Sequence, residues 1–179
     1  MTVSAEQPPR GYGDLVTAAR SDDRGLVTVE RRNGYAVVRL NEPEALNPLG
    51  RPLTVQLLDH LGAQASDDGT RAVMLTGTDP AFSAGGDLRA VASKVHPLVD
   101  GSPEGATAMW RWIRYEFGGI VRLITRTDKL FIAAVNGAAA SVGLAFAMAC
   151  DLVVASDRAR LLTAFGRIGQ VPRSASGGC

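Results

Sequence analysis

A chain of 179 residues, 46% apolar and 21% charged, has the size and composition of one soluble globular domain. That apolar share excludes a disordered chain. A net charge of +1, with basic residues scattered among acids, offers no field for a polyanion and argues against a nucleic-acid binder.

Residues 1–25 hold Pro8-Pro9, Gly11, Gly13 and mixed charge, and are read as an N-terminal arm of uncertain order. They lack the apolar core of a secretory signal, so the cytoplasm is the expected location. The core is expected over 26–172, with an atypical tail over 173–179. Val27–Glu30 and Tyr35–Leu40 flank Asn33-Gly34, a strong hairpin signal. Asn41 to Gly50 holds two prolines and reads as a loop. A helix is expected from Pro52, with Leu53, Leu57, Leu58 and Leu61 at helical spacing and Gly62 ending or weakening its last turn. Ala72–Thr76 reads as a short buried strand stopped by Gly77, followed by a loop to Gly86 and a short helix from about Asp87.

After a Pro- and Gly-rich break, Trp110, Ile113, Phe117, Ile120, Val121 and Ile124 predict an apolar helical stripe. Arg111, Arg114, Arg122 and Arg126 would form the solvated side. Leu130–Val135 reads as a buried strand, Ser141–Ala149 as a helix, and Leu152–Ala155 and Arg160–Thr163 as strands. This alternation argues an α/β layer fold. The apolar run from Phe131 to Cys150 approaches the length of a membrane span. Its Ala and Gly content and the Asn136-Gly137 turn favour a buried strand–turn–helix instead. Cys150 and Cys179 make no disulfide framework, and Cys150 is expected to pack as a small hydrophobe.

Two segments hold chemistry-bearing patterns. One is Arg71–Gly77 leading into Ala81-Phe82-Ser83-Ala84-Gly85-Gly86-Asp87-Leu88. The other is Ile132-Ala133-Ala134-Val135-Asn136-Gly137, continuing through Gly143 to Ala147–Leu152. With Glu44-Ala45-Leu46-Asn47 and Phe165–Pro172, in this order, they resemble the crotonase (enoyl-CoA hydratase/isomerase) family over about residues 26–172. The resemblance implies a spiral of ββα units, here lacking the C-terminal helical part. It also implies an acyl-CoA or enoyl-CoA thioester ligand, as in fatty acid metabolism. Coenzyme A would be part of the substrate, with no separate cofactor and no metal. The resemblance further implies a homo-oligomer, trimer or hexamer, if the fold is complete enough.

A thioester reacting at its α or β carbon develops negative charge on the thioester oxygen, which two backbone N–H donors can stabilise. By resemblance the donors are Gly86 and Val142, the second at a helix N-terminus that favours an anion. Val142 stands where the archetypal hydratase has glycine. The substrate-binding positions implied are Ala45, Ala84, Gly86, Asp87 and Leu88. Taken alone, Ala84–Asp87 would be only a tight loop with Asp87 capping a helix, and Asp151 is expected to be structural.

The family's acid positions correspond to Ala145, Phe165 and Arg173, none of which is an acid, so proton transfer has no obvious agent. His60 is expected to be exposed. His96 carries a catalytic role only by location. An inactive acyl-CoA binder or truncated pseudoenzyme acting as an assembly subunit is therefore the alternative. A serine peptidase using Ser83 or Ser141 is a further rival, with no partnered His and Asp in view. Lacking the closing helices, the 107–126 and 141–149 helices are expected to leave apolar faces uncovered.

Overall fold

The computed structural model describes residues 11–87, 107 and 109–163. The expected Asn-Gly hairpin is present. β1 (Val27–Arg32) and β2 (Tyr35–Leu40) pair antiparallel from Val27↔Leu40 to Arg32↔Tyr35. Gly34 supplies the positive φ of 84° that such a turn needs. β2 is followed by a 3-10 turn (Pro43–Ala45), β3 (Pro48–Leu49) and α2 (Arg51–Ala65). The earlier α1 (Tyr12–Arg20) lies within the expected arm and packs on α2. Gly62 does not end α2, which continues three residues beyond it to Ala65.

β4 (Ala72–Gly77), β7 (Leu130–Val135) and β9 (Leu152–Ala155) extend the hairpin into a five-stranded sheet of order β1-β2-β4-β7-β9, parallel after the first pair. The register places Ala36, Val73 and Phe131 in one row and Val38, Leu75 and Ala133 in the next. All six are fully buried. This face meets α2 through Leu53, Leu57 and Leu61, and α3 (Gly118–Arg126) through Ile120 and Ile124, so alternation along the strands builds one contiguous core. The region expected to be loop from 78 to 86 contains β5 (Ala81–Ser83) and β6 (Gly85–Gly86). β8 (Ala138–Ala140) and β10 (Arg160–Leu162) join β5 in a second sheet of order β10-β8-β5, and β3 pairs with β6. α4 (Val142–Ala149) follows β8.

The helical stripe before α3 departs from the expected one. Trp110 and Ile113 are exposed, at 55% and 44%, whereas Trp112, Glu116 and Phe117 are buried. Trp112–Phe117 is a π-helical stretch. One extra residue in a turn rotates everything upstream by roughly 100°, so the buried position moves from Ile113 to Trp112. The four arginines at 111, 114, 122 and 126 are exposed, as expected.

The buried Glu116 ties α1, α2 and the π stretch together. Tyr12 Oη donates to its Oε1 at 3.0 Å and Thr54 Oγ1 donates to its Oε2 at 3.1 Å. Trp112 Nε1 in turn donates to Thr54 Oγ1 at 3.1 Å. The Arg51 guanidinium lies 3.9 Å from Glu116 Oε1 and stacks 5.3 Å from the Trp112 ring. Burial pushes the Glu116 carboxyl above its ordinary range, against the opposing pull of Arg51 and the two hydroxyl donors.

Apolar surface is uncovered, though not only where the sequence places it. Trp110, Ile113, Tyr115 and Met148 are exposed on the helices. Leu152, Val153 and Val154 of β9 and Leu161 and Leu162 of β10 are exposed as well. Among the described residues no helix is long and apolar enough to cross a membrane. Cys150 packs in the core as expected, and burial pushes its thiol up to about 12.

Candidate functional site

Two backbone segments leave neighbouring strands side by side. β4 and β7 pair in parallel from Ala72↔Leu130 to Thr76↔Ala134, and the short strands after them, β5 and β8, also pair in parallel. Beyond β5 comes Ala84–Asp87, and beyond β8 come Ser141 and the start of α4. The two segments touch at Gly85, whose φ of +89° lies in the region that disfavours a side chain. A Cβ there would stand 2.7 Å from Ala140 O and 2.9 Å from Ser141 Cβ. Glycine is therefore required for the two backbones to come this close. One helical position further on, a Cβ at Gly143 would stand 2.7 Å from Ser83 Cβ and 2.8 Å from Ser83 Oγ.

A third segment supports the first. Leu46 and Asn47 both adopt left-handed backbone, with φ of 65° and 54°. Asn47 is the residue type that tolerates this best, because its short amide can bond locally. Its side chain is fully buried and satisfied: Oδ1 accepts from Glu42 N at 2.9 Å, while Nδ2 donates to Thr78 O and Ala81 O at 2.8 Å each. Ala84 N donates to Leu46 O at 2.8 Å, and Pro48 and Leu49 pair with Gly85 and Gly86. Ala45 and the 84–87 segment, both singled out in the sequence, are thus held on adjoining strands and turns. Asp87 Oδ2 lies 3.5 Å from where a Gly50 Cβ would be. Leu88 and any helix capped by Asp87 lie outside the described residues.

Gly86 is half-buried, and among the described residues beyond its chain neighbours no atom lies within 4 Å of where its Cβ would be. Val142 is the first residue of α4 and also half-buried, and the first-turn N–H groups of a helix have no acceptor within it. Ser141 just before it has φ 52° and ψ −120°, a sparsely populated conformation. Such backbone costs on the order of 1–3 kcal/mol and persists where surrounding contacts impose it. Here Ser141 N donates to Leu162 O at 2.9 Å.

Ala145, at an expected acid position, is half-buried on α4 and has no proton to transfer. Phe165, Arg173 and His96 lie outside the described residues. His60 is half-buried on α2, where the sequence pointed to an exposed position. Asp151 has the expected structural role, its Oδ2 accepting from Phe131 N at 2.8 Å. Ser83 is unsuited to the peptidase role: it is fully buried and its hydroxyl donates to Asn47 O at 2.8 Å, a carbonyl that cannot serve as base. Among the described residues no cluster of three or more His, Cys, Asp or Glu could hold a metal.

The sequence reading did not single out Glu116 or the Ser83–Asn47 bond. The signal available for Glu116 was an acid inside an apolar helical run. A cleft of about 370 Å³ beside Glu116 is lined by Tyr12, Val16, Leu58, Asp59 and Tyr115, and none of its lining residues belongs to the 84–87 or 140–143 segments.

The family model for enoyl-CoA hydratase/isomerase matches residues 30–177. The 4-chlorobenzoyl coenzyme A dehalogenase-2 of an Arthrobacter species is 34% identical over 143 residues, covering 80% of this chain and 49% of the relative. The 1,2-epoxyphenylacetyl-CoA isomerase of Escherichia coli is 32% identical over 139 residues, covering 78% and 50%. An enoyl-CoA hydratase structure from Mycobacterium avium superposes with a TM-score of 0.66 at 28% identity, covering 82% of this chain and 51% of that one. The chain spans about half the length of the curated relatives it matches. Sequence motifs, the matched model and the shared α/β architecture agree: the chain belongs to the enoyl-CoA hydratase/isomerase family, within the crotonase superfamily.

Proposed function

We propose that this chain binds an acyl-CoA thioester and stabilises the negative charge on its carbonyl oxygen through the backbone N–H groups of Gly86 and Val142. The observation that carries this reading is the close approach of Gly85 to Ala140 and Ser141, which puts the segment holding one donor directly against the segment holding the other. Among the described residues no atom beyond the chain neighbours crowds the space beside Gly86 and no side chain caps the start of α4, and both support it. Ala45, Ala84, Asp87 and Leu88 would flank the thioester and the coenzyme arm. The relatives named above include a coenzyme A dehalogenase and a CoA isomerase, so family membership alone does not fix the reaction.

A hydratase or isomerase reaction also needs a proton carrier. Ala145 is none, and that observation favours a second reading in which the chain binds acyl-CoA without turning it over. Calorimetric titration with crotonyl-CoA, paired with a hydration assay following loss of the enoyl absorbance, separates the two. Binding with turnover supports the enzyme, and binding alone supports the binder. Absence of binding refutes both.

A further inference from the structure

Ser83 touches each of the three segments that build the candidate site. Its Oγ accepts from Gly85 N at 3.1 Å and donates to Asn47 O at 2.8 Å. Its Cβ and Oγ also occupy the space that a side chain at Gly143 would need, in the first turn of α4. The side chain is fully buried, so water cannot take over either bond.

The chemistry at this point is narrow. A hydroxyl both accepts and donates there, which alanine cannot do. Threonine would keep the hydroxyl but add a methyl group in a space already closed by Gly143. Cysteine keeps the shape with a larger, weakly bonding sulfur. The bond to Gly85 N spans two residues, the geometry by which a serine fixes its own following turn. It therefore acts on the backbone one residue before Gly86. The contact with Gly143 acts one residue after Val142.

We propose that Ser83 is a positioning residue that sets the relation between the Gly86 and Val142 N–H groups, and so the polarisation of a bound thioester carbonyl. This rests on the donor assignment given under Proposed function. Ser83 itself touches no reacting atom.

The test is the carbonyl stretch of isotopically labelled crotonyl-CoA, measured by difference infrared spectroscopy free and bound to the full chain. Bound to the wild-type protein, the stretch moves to lower frequency. With two donors sharing the oxygen, misaligning one leaves about half the shift, so Ser83→Ala is expected to lose about half or more. Ser83→Cys is expected to recover part of it. Gly143→Ala, which presses on Ser83 from the helix side, is expected to reduce the shift as well, and it serves if Ser83→Ala does not fold. A wild-type shift retained in full by folded Ser83→Ala, or by Gly143→Ala, overturns the role of Ser83 while leaving the donors standing. A wild-type complex with no shift overturns the donor assignment and this inference together.

Discussion

Adjacent glycines at 85 and 86 should respond very differently to the same methyl group. Gly85→Ala would force a Cβ into a φ of +89°, 2.7 Å from Ala140 O and 2.9 Å from Ser141 Cβ. A left-handed conformation costs an alanine about 1–2 kcal/mol, and overpacking against a backbone atom costs about 1–3 kcal/mol more. The smaller freedom of alanine in the unfolded chain offsets this by about 0.4–1 kcal/mol. The net expectation is a loss of about 2–4 kcal/mol, a sizeable share of the stability of a domain this small. At Gly86 no atom of the other described residues lies within 4 Å of the new Cβ and φ is not positive, so Gly86→Ala should fall within about 0.5 kcal/mol of wild type. Urea unfolding followed by tryptophan fluorescence measures both, with the slope checked for constancy. Equal effects at the two positions, or a Gly85→Ala variant as stable as wild type, would refute the claim that the two backbones meet at Gly85.

Asn47→Ala removes two donors and one acceptor from a fully buried side chain, leaving Thr78 O, Ala81 O and Glu42 N to find other partners. A loss of about 3 kcal/mol or more in urea unfolding is expected, and a loss below about 1 kcal/mol would contradict this role. Glu116 gives a pH signature. Its carboxyl is raised above the ordinary 4.5 in the folded state, so as pH falls the folded protein takes up that proton before the unfolded chain does. The resulting stabilisation is present below about pH 4.5 and is lost as pH rises through the raised folded value. Wild type should therefore lose stability relative to Glu116→Gln as pH rises above about 4.5, and a gain in that direction would reverse the assignment.

Much of the central sheet was legible because its strands are short apolar runs with clear stops. The Asn33-Gly34 turn and the blocks at Ala72–Gly77 and Leu130–Val135 needed no distant information. β5 and β8 were missed for a physical reason. Ala138–Ala140 has poor intrinsic strand preference and is extended only because Ala81 and Arg160 lie on either side to pair with it. The order of Tyr12–Arg20 was equally hidden, since the Tyr12 hydroxyl bonds to Glu116, 104 residues away. The π stretch defeated the periodicity argument because a fixed 3.6-residue period cannot register an inserted residue. At the site, the glycine-bearing motifs could be read directly. That Ser83 joins them to Asn47 could not, because the bond links separate turns of the chain.

The parallel pairing of β4 with β7, and of β5 with β8 in the second sheet, has a consequence for how sequence change can act on this molecule. Each arm of the candidate site hangs from its own strand, and neighbouring strands are kept about 4.8 Å apart by their ladder. A substitution that spares these two ladders therefore leaves the gap between the arms as it is, whereas one that breaks either ladder releases both arms together.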